Sequence, residues 1–196
     1  GQLLLQVLKK IFDAIVFNLP TEDPNSVRSA AVKNLKRHAA SSIVKIALKY
    51  PLLLLSTFDQ IDNHIKTLCN TESSLSSMEK LLLQESLLII SNHFCEFERQ
   101  QQFIGEIIRP AVQMWQNLKA ASAFMEYIGL SSKPLNTAAI NLMQSNGGLD
   151  DRFFKNRQAV LLALNTVLGV IKRCQCPDDP DKTYRGGFIV ATTDAG

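Results

Sequence analysis

The sequence predicts an all-α fold, built as an array of stacked antiparallel helical hairpins. Three observations carry this prediction. Apolar residues recur at steps of three and four along most of the chain, which is the spacing of an amphipathic helix. The helices that these stretches predict are roughly 18 to 24 residues long and are separated by short polar turns, as in helical-repeat proteins. The chain contains no series of runs with the alternation of β-strands.

The composition is that of a folded globular chain. Hydrophobic residues make up 46% and charged residues 20% of the 196 positions. The longest aliphatic runs, Leu52 to Leu55 and Leu87 to Ile90, are much shorter than the roughly 20 residues that cross a bilayer, so no transmembrane helix is expected. Because the chain begins with Gly1 rather than Met and ends at Gly196 without a terminating element, we interpret it as an internal fragment.

Four helices are predicted in the first half of the chain, with approximate bounds Leu3 to Leu19, Ser26 to Lys49, Pro51 to Leu68 and Ser76 to Phe94. Pro51 stops the second helix and can occupy the first turn of the third, where a missing amide hydrogen is tolerated. Ser76 and Glu79 have the spacing of a capping box, in which each side chain bonds the backbone amide of the other residue. This spacing predicts the start of the fourth helix.

The second half predicts two long helices, with approximate bounds Glu96 to Leu118 and Arg152 to Arg173. Pro110 lies inside the first of them, and its ring and missing amide hydrogen predict a kink or a split. Residues 129–151 contain Pro134 and a Gly-Gly pair, and predict a long irregular connection with at most a short helix over 137–144. Pro and Gly residues also predict an irregular tail over 174–196. We expect residues 1–196 to form a single segment of a HEAT-repeat array, an α-solenoid. A self-contained helical bundle would show the same helices and is the alternative.

The second helix carries a concentration of positive charge. Net charge is only +3, yet six basic residues and no acidic residue lie between Pro24 and Phe58. On a helical wheel one face, which we call the basic face, collects Lys33, Arg37, Ser41 and Lys45. A separate packing stripe is predicted from Val32, Leu35, Ala39, Ile43 and Ile46. The basic face predicts phosphate binding, and a solvated face whose lysines are neutralised by acids on neighbouring helices is the alternative.

A second basic group opens the last long helix and consists of Arg152, Lys155 and Arg157. Backbone amides and the helix dipole also favour anions at a helix start.

No pattern in the sequence predicts catalysis or a bound cofactor. The cysteines, Cys69, Cys95, Cys174 and Cys176, are too few and too unevenly spaced for a disulfide framework, so we expect reduced thiols. The C-x-C pair lacks the C-x-x-C spacing of a zinc knuckle, so we expect no metal site. There is no phosphate loop and no Ser/His/Asp arrangement, so we expect no enzyme.

Several stretches together resemble the exportin-5 family of karyopherins, the importin-β-like nuclear export receptors. They are NLKRHAASSIVKIALKYP from Asn34, FDQIDNHIKTL from Phe58, MEKLLLQESLLIISNHFCEFERQ from Met78, Asn156 with Arg157, LGVIKR from Leu168 and GGF from Gly186. Their order and spacing cover most of the chain except residues 118–151.

The resemblance implies a middle piece of a HEAT superhelix that shuttles between nucleus and cytoplasm past nuclear pore proteins, with no membrane contact. It implies binding of Ran-GTP together with double-stranded RNA such as microRNA precursors, whose short 3′ overhang enters a basic tunnel. Tunnel residues of the family fall on Arg37, Ser41 and Arg157. We expect Lys33, Lys36 and Lys45 to add attraction, and Ser77 stands where the family has a glutamine. A HEAT scaffold that binds proteins without nucleic-acid contact is the alternative function.

Overall fold

The computed structural model describes residues 2–19, 26–71, 75–130 and 151–189. In these ranges the chain forms helices and no strand, which confirms the predicted all-α, HEAT-type fold. The helices are α1 (Gln2–Val16), α2 (Val27–Lys49), α3 (Pro51–Leu55), α4 (Phe58–Thr71), α5 (Ser77–Ser91), α6 (Phe97–Asn117), α7 (Ala121–Tyr127), α8 (Asp151–Arg173) and α9 (Pro180–Arg185). None of the helices in the described ranges has the length and apolarity that a bilayer span requires.

The chain divides into two compact units. The first comprises residues 1–107 and 169–196, and the second comprises residues 108–168. The expectation of one repeat segment over residues 1–196 stays a prediction.

Helix α5 is the centre of the first unit. It packs against α2, α3 and α4, while α2 also packs against α1. All six positions from Ser86 to Ser91 are buried, so α5 is covered around most of its circumference. The surrounding helices contribute fully buried aliphatic side chains, among them Ile15, Ile43, Leu54 and Ile65. Burial of each such side chain stabilises the fold by roughly 1.5–3 kcal/mol before the entropy cost of ordering the chain.

Three phenylalanine rings tie α4 and α6 to the turn after α5. The rings of Phe58, Phe94 and Phe103 meet edge to face, with centroid separations of 4.8, 5.2 and 6.1 Å. The Arg99 guanidinium lies 4.1 Å from the centre of the Phe94 ring, and it also forms an ion pair with Asp59 at 3.6 Å. This contact places a cation on the electron-rich face of the ring.

The predicted starts of the second and fourth helices, near Ser26 and Ser76, are confirmed. The Ser29 amide donates to Ser26 Oγ at 3.0 Å, which caps α2. At α5 the Glu79 amide donates to Ser76 Oγ at 3.3 Å, and the Ser76 amide donates to Glu79 Oε2 at 2.8 Å. This is the reciprocal capping box.

The predicted third helix, Pro51 to Leu68, is wrong as a single element, because the chain forms α3 and α4 with a turn between them. The Ser56 hydroxyl donates to the Leu53 carbonyl at 3.1 Å, and the Thr57 hydroxyl donates to the Leu54 carbonyl at 3.2 Å. Such side-chain bonds compete with the helical backbone pattern. They accompany the break at these two residues.

Other boundaries also differ from the prediction. The first helix ends at Val16 rather than near Leu19. Of the two outcomes predicted at Pro110, a kink or a split, the split is wrong, because α6 continues through Pro110 as one helix. The tail is not wholly irregular, since α9 forms within it and is capped by Asp179 Oδ1, which accepts the amides of Asp181 and Lys182. The long final helix is confirmed as α8. The predicted short helix over 137–144, and most of the connection over 129–151, lie outside the described residues.

The second unit has a smaller core of its own. Ala111, Val160 and Ala163 are buried there, and the Trp115 and Phe124 rings stack with centroids 6.3 Å apart. Gly129 has φ of +80°, and a Cβ at this position would lie 2.7 Å from the Phe153 ring. Both the backbone conformation and the close ring therefore favour glycine.

Candidate nucleic-acid interface

The basic face of α2 is largely accessible. Lys33, Arg37 and Lys45 are exposed, and Ser41 is half-buried. The Arg37 Nη2 donates to Asn34 Oδ1 at 3.0 Å, a contact one helical turn away on the same helix. This bond uses one of the five N–H donors of a guanidinium, so it orients the group and leaves donors that can reach a phosphate.

The packing stripe of α2 differs from the predicted one. Leu35, predicted to pack, is 47% exposed, whereas Lys36 is only 5% exposed. The residues that face the interior of this unit are Lys36, Ala40, Ile43, Val44 and Ala47. The stripe is thus rotated by about one position, because α1 and α5 cover a different side of α2 from the one that periodicity indicates. Lys36 therefore stands at the edge of the core rather than on the solvated surface.

A groove of about 480 Å³ lies between the first half of α2 and the start of α5, and we call it the α2–α5 groove. Its walls are formed by three basic side chains of α2 and by residues at the start of α5. The lining residues are Lys33, Lys36, Arg37, Leu75, Ser76, Met78 and Glu79. The start of α5 carries the positive end of that helix dipole, which adds to the field of the cations. The groove therefore attracts anions.

Glu79 is the acidic member of the groove, and its carboxylate is buried. Its Oε2 accepts the Ser76 amide in the capping box, so the negative charge faces a backbone donor of its own helix start. Lys33 and Lys36 also interact with groups of the protein. The groove is consequently a polar site that combines basic side chains with a buried carboxylate.

The structure brings some of the predicted site residues together. Lys33, Lys36 and Arg37 line the α2–α5 groove, and Ser77 lies between two residues that line it. Ser41 and Lys45 follow Arg37 by one and two helical steps of four residues, which places them about 6 and about 12 Å further along the axis. They extend the basic face beyond the groove.

Arg157 belongs to the second unit, where it has a structural contact. Its Nη1 donates to the Ile128 carbonyl at 2.9 Å, and Asn156 Nδ2 donates to the Tyr127 carbonyl at 2.7 Å. These carbonyls lie at the end of α7, where a positive charge is favourable. Sequence reasoning missed this capping role, because nothing in the local sequence indicates that α8 would meet α7 here. Of the second basic group, Lys155 is exposed and the side chain of Arg152 lies outside the described residues.

Among the described side chains, no cluster of three or more His, Cys, Asp or Glu could hold a metal ion. Burial raises the pKa of the Cys69 thiol, and the positive charge of Lys80 opposes part of this effect. Burial raises the pKa of Cys174 to about 11. Both thiols are therefore protonated near neutral pH.

Comparison with known proteins identifies the family. The model of the exportin-5 family matches residues 1–174. The chain belongs to the exportin-5 family. Human exportin-5 is 35% identical over 201 residues, which cover 100% of this chain and 16% of the human protein. Mouse exportin-5 is 34% identical over 199 residues, which cover 98% of this chain and again 16% of the relative. The chain thus spans about a sixth of the length of these exportin-5 relatives, and the resemblance predicted from the sequence is confirmed.

Proposed function

We propose that this chain is part of a nuclear export receptor that binds double-stranded RNA with a short 3′ overhang, such as a microRNA precursor, together with Ran-GTP. The observation that carries the proposal is the α2–α5 groove, in which three cations of α2 face the start of α5 in a member of the exportin-5 family. The receptor moves between nucleus and cytoplasm and passes nuclear pore proteins on the way.

Recognition in this proposal depends on charge and shape. Arg37 grips a phosphate through two N–H donors, since it is exposed and its guanidinium is oriented by Asn34. Lys33 and Lys45 are exposed and add attraction that salt screens, while the buried Lys36 acts from a site that salt screens less. Ser41 and Ser77 offer hydroxyl groups beside these cations. Base edges are not read, as is usual for duplex RNA.

Arg157 is the second arginine that the resemblance places among the tunnel residues of the family, and it also binds the RNA in this proposal. One of its N–H donors is held by the Ile128 carbonyl, and the remaining donors bind the ligand in this proposal. Binding of RNA and of Ran-GTP strengthens each other by the same factor, because coupling between two sites is reciprocal. Loss of Ran-GTP then releases the RNA, so the receptor needs neither a catalytic residue nor a cofactor.

A filter-binding titration of the intact protein tests the cargo class. The ligands are one RNA hairpin with a 3′ overhang and the same hairpin made blunt, each with and without Ran-GTP, over a series of salt concentrations. We expect tighter binding of the overhang form, tighter binding with Ran-GTP, and a steep loss of affinity as salt rises. Equal affinity for both hairpins in all conditions would refute the overhang part of the proposal.

Charge reversal at Arg37 tests the groove itself. We expect Arg37→Glu to weaken RNA binding by about tenfold or more and to flatten its salt dependence by about one to two ion equivalents. Lys10→Glu is the matched control, since Lys10 is exposed on α1 and the change in charge is identical. Adding Arg157→Glu should weaken binding further, with Arg157→Lys as the control that keeps charge and a donor. Equal effects of Arg37→Glu and Lys10→Glu would contradict a specific site.

A protein-binding HEAT scaffold is the second candidate, and one observation favours it. Leu52 and Leu53 on α3 are 68% and 59% exposed, which is unusual for adjacent leucines unless another surface covers them. RNA binding that is unchanged in the Arg37→Glu, Arg157→Glu double variant would favour this candidate.

A further inference from the structure

Residues 174–188 form a segment that we call the clasp, because it lies across the turn between α5 and α6. The Asn92 side chain begins this contact. Its Nδ2 donates to the Arg173 carbonyl at 2.6 Å, and its Oδ1 accepts the Gln175 amide at 3.0 Å. Gln100 Nε2 donates to Asn92 Oδ1 at 3.0 Å and to the Gln175 carbonyl at 3.1 Å. The two side-chain amides therefore hold the backbone where the clasp begins.

The far end of the clasp meets the same turn. The Phe97 amide donates to the Gly186 carbonyl at 2.8 Å, and the Phe97 and Phe188 rings meet edge to face at 5.6 Å. A Cβ on Gly186 would clash with the Cys95 carbonyl oxygen, so the two backbones are in close contact. Cys95 itself has a φ of +55°, a conformation that L-residues adopt rarely. The clasp therefore contacts the α5–α6 turn at both of its ends, through hydrogen bonds at the first end and through a hydrogen bond and a ring contact at the second.

Between these two ends lies a cavity of about 400 Å³. Cys95 lines it from the turn, and Cys176 lines it from the clasp. The neighbours of Cys176 fix its position, since the Gln175 amide is bonded to Asn92 and the Pro177 carbonyl accepts the Thr183 hydroxyl at 2.8 Å. Asn92 is only three residues before Cys95. Contacts on both sides therefore bring the two cysteines to one cavity.

The four cysteines differ in their surroundings. Cys69 and Cys174 are half-buried, and burial raises the pKa of both thiols, which disfavours the reactive thiolate. Cys176 is exposed and Cys95 is half-buried at the wall of the cavity. An oxidant in solution thus meets Cys176 first, and Cys95 is the other cysteine that lines the same cavity.

We propose that Cys95 and Cys176 form a reversible disulfide across this cavity, and that the bond locks the clasp onto the α5–α6 turn. The match to the family model ends at residue 174, so this disulfide joins the α5–α6 turn, which lies inside the matched region, to the clasp, which follows it. In compartments that keep thiols reduced, such bonds are transient and respond to oxidants.

Glutathione disulfide is a sufficient oxidant for this reaction. The Cys176 thiolate attacks one sulfur of glutathione disulfide, which forms a mixed disulfide and releases one glutathione thiolate. The Cys95 thiolate then attacks the Cys176 sulfur, which releases the second glutathione. Both cysteines lose a proton, two electrons pass to glutathione disulfide, and two glutathione thiols result. A small dithiol such as dithiothreitol reverses the reaction.

Peptide mapping of the intact protein tests the bond. After incubation with glutathione disulfide and alkylation of remaining thiols, trypsin should yield peptide 81–99, which contains Cys95, linked to peptide 174–182. Because the second peptide contains both Cys174 and Cys176, the variants Cys174→Ser and Cys176→Ser are compared. We expect the link to persist in Cys174→Ser and Cys69→Ser, to vanish in Cys95→Ser and Cys176→Ser, and to be removed by dithiothreitol.

Hydrogen exchange tests whether the disulfide locks the clasp. We expect the Phe97 amide and the backbone of residues 174–188 to exchange at least about tenfold more slowly in the oxidised protein than in the reduced one. The Cys95→Ser variant should show no difference between the two conditions. The proposal is overturned by a link that survives in Cys176→Ser, by oxidation that yields only glutathione adducts, or by a link that leaves these exchange rates unchanged.

Discussion

Truncation of Phe58 should destabilise the junction of α4, the α5–α6 turn and α6. Phe58 is 5% exposed and its ring touches those of Phe94 and Phe103 at centroid distances of 4.8 and 5.2 Å. Replacing a buried phenylalanine with alanine costs about 3–5 kcal/mol. Each edge-to-face pair contributes about 0.5–1.5 kcal/mol beyond the buried area. We therefore expect Phe58→Ala and Phe103→Ala each to cost about 3–5 kcal/mol.

The coupling free energy between Phe58 and Phe103 can be measured separately. Because both single variants remove the same ring contact, the double variant should cost less than the sum by about 0.5–1.5 kcal/mol. Native-state hydrogen exchange of the amides of α4 and of the first half of α6 reports the local free energy of opening. Phe17→Ala is the control, since Phe17 is exposed and its loss should change stability by less than about 0.5 kcal/mol. Strictly additive losses, or a cost below about 1 kcal/mol for Phe58→Ala, would refute this reasoning.

Three further outcomes are expected. Ser76→Ala removes the hydroxyl that caps α5 and should cost about 1 kcal/mol, seen as faster exchange in the first turn of that helix, and an unchanged rate would contradict the capping role. Gly186→Ala places a Cβ against the Cys95 carbonyl oxygen, so the clasp must shift and the Phe97 amide should lose protection from exchange. Cys174 has a pKa of about 11 instead of 9.0, so its thiolate fraction near pH 8 is on the order of a hundredfold lower. Its alkylation by iodoacetamide, followed by mass spectrometry, should be slower by that factor than the alkylation of a thiol whose pKa is 9.0. The rate should rise about tenfold per pH unit until the pH reaches the pKa of Cys174.

The helices were predictable from the sequence where local chemistry defines them. Apolar spacing predicts their existence, and the capping-box spacing of Ser76 and Glu79 places the start of α5 correctly, because a cap acts within one turn of its own residue. The sequence prediction missed the break between α3 and α4, because the run of residues there is otherwise apolar. The hydroxyl groups that accompany the break belong to Ser56 and Thr57. Helix α9 was missed although Asp179 followed by Pro180 is a recognisable start signal.

The site was only partly predictable, because its surroundings come from distant parts of the chain. Arg37 is exposed as expected, but Leu35 and Lys36 exchange roles between surface and core. Alanines at 39 and 40 fit either stripe, so only the position of α1 and α5 decides which side of α2 is covered. The capping contact of Arg157 likewise depends on where α7 ends. The RNA contacts of Arg37, Ser41, Arg157, Lys33, Lys36, Lys45 and Ser77 stay predictions.

The hydrogen bonds of Asn92 and Gln100 to residues 173–175 go to main-chain carbonyls and an amide. Peptide groups are the same whatever residue carries them, so the grip does not depend on the identity of residue 175. Mutations at that position should accumulate with little harm, provided that proline, which lacks the amide hydrogen, is avoided. The segment is held instead by the side chains of Asn92 and Gln100, some eighty positions earlier in the chain. Even a change of Asn92 to Asp or of Gln100 to Glu would remove the N–H donor that makes these hydrogen bonds.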